Sequence, residues 1–72
     1  MNITQNNVDK VTAEVNAYLT TGDNNRAMGL PNTANAMYYG ALGFLGASLT
    51  FNVIDAETYN RLAKIVNAKF IL

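Results

Sequence analysis

In the first third of the chain, apolar positions recur every three or four residues. Val8, Val11, Val15 and Leu19 fall on one stripe of a helix, with Lys10, Glu14 and Asn16 on the other side. This spacing predicts an amphipathic first helix over about Gln5–Thr21. Thr4 stands where a hydroxyl can accept from the free backbone N–H groups of the first turn. Ile3 and Val8 have the spacing of a hydrophobic staple across that turn. Gly22 is expected to end the helix in a left-handed conformation, and Asp23 to cap a short turn through Met28. Gly29-Leu30-Pro31 interrupts the path. Proline has no N–H and crowds the preceding turn, but it suits the first position of a new helix. A second, kinked helix is therefore expected to start near Pro31.

The segment Asn32–Phe51 carries no charge and resolves into three stripes at helical spacing. Tyr38, Leu42, Leu45 and Leu49 form one. Gly40, Phe44, Ala47 and Phe51 form a second. Tyr39, Gly43, Gly46 and Thr50 form a narrow third. A helix apolar all round is expected to be buried on every side or to lie in a membrane. Each glycine costs nearly 1 kcal/mol of helix propensity against alanine, so Gly40, Gly43 and Gly46 point to close approach of another backbone. Asn52 suits the left-handed position after the helix. Asp55 is placed to cap a third helix running to about Phe70, with Tyr59, Leu62, Ala63, Val66 and Phe70 as its apolar stripe. Glu57 and Arg61 are spaced as an i,i+4 pair on its wet side. The short link makes helices 2 and 3 antiparallel neighbours, an αα-hairpin. The fold class that follows is all-α, with residues 1–72 as one three-helix domain.

At 72 residues, apolar burial only narrowly offsets the conformational entropy of ordering the chain. The usual reinforcements are disulfides, metals and oligomerisation. With no cysteine and no histidine, the first two are removed and no metal or cofactor is expected. Half the residues are hydrophobic and only 14% are charged, which also points to surface covered by a partner. A homo-oligomer is expected, with Gly40, Gly43, Phe44, Gly46, Ala47 and Phe51 of helix 2 at its interface.

Five basic residues balance five acidic ones. Duplex nucleic acid is disfavoured as a partner, because the phosphate-driven part of affinity needs a basic excess. Arg61, Lys64 and Lys69 on helix 3 are read as a solvated face. Of the carboxylates, Asp23 and Asp55 are read as helix caps, and Asp9 and Glu14 do not share a helix face. The single serine, Ser48, has no histidine to activate it. An enzyme is not expected. The polar start Met1–Asn7 lacks the basic and apolar runs of a secretory signal, which points to the cytoplasm of the source cell or of an infected host cell.

One polar–aromatic cluster is a candidate ligand site. Arg26, Asn32, Asn35, Tyr38 and Tyr39 lie close together in the sequence, and two adjacent tyrosines on a helix cannot both face one core. Either they are packing residues, or their rings stack a base while Arg26 and the amides bind phosphate or base edges. The second case would make the ligand nucleotide-like.

The parts Gly22-Asp23, Arg26-Ala27-Met28-Gly29-Leu30 and Phe51-Asn52-Val53-Ile54-Asp55-Ala56-Glu57-Thr58-Tyr59, closed by Leu62, resemble a pattern in small phage- and mobile-element-encoded helical proteins. Those proteins usually carry glycine where Asn52 stands. The resemblance covers about two thirds of the chain and implies no activity. Proteins of that kind often inhibit or sequester components of host defence. The expected function is thus a non-enzymatic interaction or sequestering protein, homo-oligomeric through helix 2, which binds a nucleotide-like ligand or a host protein. The alternative is a small holin-like membrane protein. Ala36–Ile54 is uncharged and has the length of a span. Its seven strongly apolar side chains supply only about −3 kcal/mol of insertion energy, which the glycines, Ser48, Thr50 and Asn52 erode.

Overall fold

The computed structural model describes residues 3–70, and the chain folds as three α-helices: α1 (Gln5–Ala27), α2 (Pro31–Thr50) and α3 (Ala56–Asn67). A single 3-10 turn, Ala68–Phe70, follows α3. The all-α, three-helix expectation is met. α2 lies in the middle, packed along α1 on one side and against α3 on the other, whereas α1 and α3 touch little. The shape is correspondingly slender, 43 × 18 × 15 Å. Its radius of gyration of 12.5 Å exceeds the roughly 11 Å of a compact chain of this length.

Two helix starts follow the sequence signals. The Asn7 amide donates to Thr4 Oγ1 at 3.1 Å, and the Thr58 amide to Asp55 Oδ1 at 2.8 Å. Both capping residues have extended backbone, as an N-cap requires. Hydrogen bonding by the Thr58 amide holds the Asp55 carboxyl below its ordinary pKa of 3.8. Glu57 and Arg61, although four apart, do not close to an ion pair. The one ion pair among the described residues joins Lys69 to Asp23.

The end of α1 differs from expectation. Gly22 does not terminate it, and Asp23 does not cap a separate turn. Both lie inside a helix that runs five residues further, to Ala27. The left-handed residue is Gly29, with φ of 77°. Gly29 N–H donates to the Arg26 carbonyl and Leu30 N–H to the Asn25 carbonyl, the paired bonds of a Schellman motif. Asn52, with φ of 60°, repeats the motif after α2: its N–H donates to the Leu49 carbonyl and that of Val53 to the Ser48 carbonyl. Glycine at position 22 is explained by packing. A Cβ there would overlap the Tyr38 ring.

α2 is one unbroken helix with Pro31 at its first turn, and the interruption falls before it, at Met28–Leu30. Its buried face is Ala34, Tyr38, Ala41, Leu45 and Ser48. These meet Val11, Val15 and Leu19 of α1, Leu62, Ala63 and Val66 of α3, and Ile54 of the connecting loop. Alanines 34, 41 and 63 let the helices approach closely around one large side chain, Tyr38, which is 0% exposed. Ser48 is buried too, and its hydroxyl donates to the Phe44 carbonyl at 2.8 Å.

The expectation that α2 is buried on every side is corrected. Tyr39, Gly43, Ala47, Thr50 and Phe51 face outward and are exposed. With only two helices packed on it, α2 keeps one side open, because α1 and α3 together cannot surround it.

Candidate functional site

Tyr38 organises the end of the molecule where α1 turns into α2. Its ring fills the space left by Gly22, and its hydroxyl donates to Asp23 Oδ1 at 2.6 Å. The other oxygen of Asp23 accepts from Lys69 Nζ at 2.8 Å. The Arg26 guanidinium sits over the Tyr38 ring, 5.0 Å from its centroid, and donates to the Lys69 carbonyl. Phe70 meets the Tyr38 ring edge-on at 5.7 Å and lies against Tyr39 at 4.8 Å. The turn after α3 is thereby clasped to α1 and α2 by an ion pair, one further hydrogen bond and two aromatic contacts.

The electrostatics of this clasp are static near neutral pH. Hydrogen bonds from Lys69 and Tyr38 hold the Asp23 carboxyl below its ordinary value of 3.8. Burial, then the bond to Asp23, pushes the Tyr38 hydroxyl above 10.0. One group stays ionised and the other protonated across the physiological range, so the pair suits holding chain segments together rather than passing a proton.

Of the candidate ligand residues, Arg26, Tyr38 and Tyr39 come together around Phe70. Tyr38 is enclosed, so its ring has no free face for a base. Arg26 is half-buried over it. Tyr39 is 65% exposed, and Asn32 and Asn35 stand in solvent on the first turns of α2. Asp23, Lys69 and Phe70 join this cluster, although the sequence reads them as a helix cap, part of a solvated face and part of an apolar stripe; Lys69 is instead paired with Asp23. A separate turn would not bring Asp23 here; the longer α1 puts it one turn past Leu19, facing the end of α3.

Two concavities lie elsewhere. A shallow groove of about 620 Å³ runs along α3 past Asn60, Arg61, Lys64, Ile65 and Ala68. A smaller one of about 240 Å³ lies where Glu14, Ala17, Tyr18 and Thr21 of α1 meet Met37 of α2. Among the described residues, no three His, Cys, Asp or Glu side chains gather to hold a metal.

The six residues expected at an oligomer interface divide into two sets. Gly40 and Phe44 are engaged within the chain. A Cβ on Gly40 would come within 2.9 Å of the Tyr18 ring, and Phe44 packs on that ring with centroids 6.3 Å apart. The close approach at Gly40 is thus to a side chain, not to a backbone. Gly43, Gly46, Ala47 and Phe51 lie towards solvent. A Cβ at Gly43 or Gly46 would meet nothing within 4 Å, and Phe51 is 72% exposed. Among the described residues, no helix is long and apolar enough to cross a membrane. Comparison with protein families, curated proteins and solved structures found no match, so the resemblance of the hairpin to small phage-encoded proteins gains no support from them.

Proposed function

We propose that this chain is a non-enzymatic interaction protein that self-associates through the outer face of α2 and acts by binding or sequestering a protein partner. The observation that carries this is the state of Gly43 and Gly46. Each costs about 1 kcal/mol in a helix, and a Cβ on either would meet nothing within 4 Å. They share an uncharged face with Ala47 and with two exposed rings, Tyr39 and Phe51. Apolar rings on a charge-free surface are the composition of an interface core rather than of solvated surface. Of the two kinds of partner, a protein is favoured over a nucleotide-like ligand, because Tyr38 is enclosed and Arg26 is already bonded to Lys69. Sequestration of a host component, the habit of the phage proteins that the hairpin resembles, would use such a face.

Sedimentation equilibrium across micromolar concentrations tests the reading. Species heavier than the 7.8 kDa chain are expected, and their proportion should rise with concentration. A lone monomer throughout would sink it. Titration with a panel of nucleotides, beside Arg26→Ala and Tyr39→Ala, tests the ligand alternative. Saturable binding lost in both variants would favour that alternative.

A further inference from the structure

We propose that the α2–α3 hairpin opens at its link, residues 51–55, and exchanges α3 between two copies of this chain. Each α3 then sits on the other copy's α2 and α1, in the seat it fills in its own chain. This pairing is separate from association through the outer face of α2, and either can hold without the other. The observation that carries it is an apolar stripe that runs in phase through the link. Tyr38, Leu45, Asn52, Tyr59 and Val66 are seven apart, and so are Ala41, Ser48, Asp55 and Leu62. Asn52 and Asp55 of the link are exposed and Tyr59 is half-buried; the other six are buried. These are the a and d positions of one heptad repeat, continued across the break. A hairpin whose link always stays turned gives its two helices no reason to share a phase.

The two interhelical turns differ in the same sense. The α1–α2 turn holds Gly29 and Pro31, which stop one helix and start the next. From Ala47 to Phe70 there is neither glycine nor proline. The left-handed residue of the link is Asn52, at φ of 60°. That backbone is unfavourable for a residue with a side chain, and a short link under strain invites exchange. With the link helical, α2 and α3 become one helix over residues 31–67.

The contacts already made within the chain fix the orientation. Phe70 meets Tyr38, and the midpoint of 38 and 70 is residue 54, inside the link. Two continuous helices laid antiparallel about a two-fold near residue 54 therefore keep Phe70 of one copy against Tyr38 of the other. Lys69 then reaches Asp23 and Arg26 of the other copy by the same bonds it makes within its own. No new surface is needed. Ile54 opposes the exchange, since it is buried in the closed hairpin and lies off the stripe of a continuous helix. The closed chain therefore prevails when dilute, and the exchanged pair gains as concentration rises.

Position 52 tests the hinge, and the Asp23–Lys69 pair tests whose α3 fills each seat. Asn52→Leu disfavours the left-handed backbone and puts an apolar side chain on the stripe. By sedimentation it is expected to dimerise at least about tenfold more tightly than wild type, with a gain in helix content by circular dichroism. Asn52→Gly, at home in that backbone, is expected to dimerise less. Asp23→Lys and Lys69→Asp chains each set like charges together when closed. Mixed, warmed through the melt and cooled, they are expected to form mixed dimers in excess of a random mixture by native mass spectrometry. In an exchanged pair the introduced lysine at 23 faces the introduced aspartate at 69, and native Asp23 faces native Lys69. A monomeric Asn52→Leu with wild-type helix content would overturn the proposal. So would random mixing of the charge variants, or no dimer between them. A wild-type dimer indifferent to position 52 and to charge exchange would leave outer-face association standing alone.

Discussion

Gly22 and Gly40 stand beside Gly43 and Gly46 as two answers to one question. All four are glycines inside helices, and each gives up the same propensity against alanine. The first two give it up to a ring: Tyr38 occupies the place of a Cβ at Gly22, and Tyr18 crowds it at Gly40. The second two face open space. A glycine in a helix therefore marks close approach only when something approaches. Where the chain supplies nothing, the same residue leaves a shallow, charge-free surface for something else. The inner pair belongs to the stability of the monomer, and in the proposed function the outer pair belongs to what the monomer meets.

That contrast can be broken at several points. The largest effect is expected from Gly22→Leu. The Tyr38 ring is enclosed and its hydroxyl is held by Asp23, so it cannot yield to a new side chain. Overpacking should cost about 3 kcal/mol, a fall in melting temperature of more than about 12 °C for a domain of this size. A melt within a few degrees of wild type would show that the ring has room to move.

Next comes Tyr38→Phe, which keeps the ring and removes the bond to Asp23. It should cost about 1–1.5 kcal/mol in thermal or urea melts, since Asp23 is partly exposed and water can replace the hydroxyl. Its pH profile reports the buried hydroxyl, whose pKa is raised first by burial and then by the bond to Asp23. The Tyr38 hydroxyl is held above its ordinary 10.0, so the folded chain retains this proton better than the unfolded one. That contribution is complete below pH 10 and is lost as pH rises beyond it. The alkaline loss should flatten in Tyr38→Phe; an unchanged alkaline limb would assign it to other groups.

Gly43→Ala sharpens the comparison by reversing sign. Measured at a concentration where the chain is monomeric, it should gain up to about 1 kcal/mol, whereas Gly22→Ala should lose stability. A destabilised Gly43→Ala monomer would mean that the outer face is occupied within the chain after all.

The smallest effect is expected at Lys69→Met. The side chains of the Lys69–Asp23 pair are 30% and 45% exposed, and such pairs contribute less than about 1 kcal/mol. Asp23 is held below its ordinary 3.8, first by Lys69. Its contribution is present above pH 3.8 and is lost as pH falls below it. Lys69→Met should therefore lower stability at neutral pH and lose less of it on acidification. An acid limb identical to wild type would remove Lys69 as its cause.

Local signals were legible in the chain by itself. Thr4 and Asp55 cap their helices, Asn52 takes the left-handed position, and Val11, Val15, Leu19, Leu62, Ala63 and Val66 face inward, because capping and periodicity depend on neighbours a few residues away. What tertiary structure alone decided is what each glycine and each tyrosine serves. Gly22 has the local form of a helix stop, yet a ring arriving from position 38 makes it a packing site, and Gly29 takes the stop instead. Tyr38 and Tyr39 are adjacent and chemically identical, yet one is enclosed and the other exposed. Which of them turns inward depends on where α1 and α3 lie across α2. That placement comes from contacts between residues far apart in the chain, which no local pattern encodes.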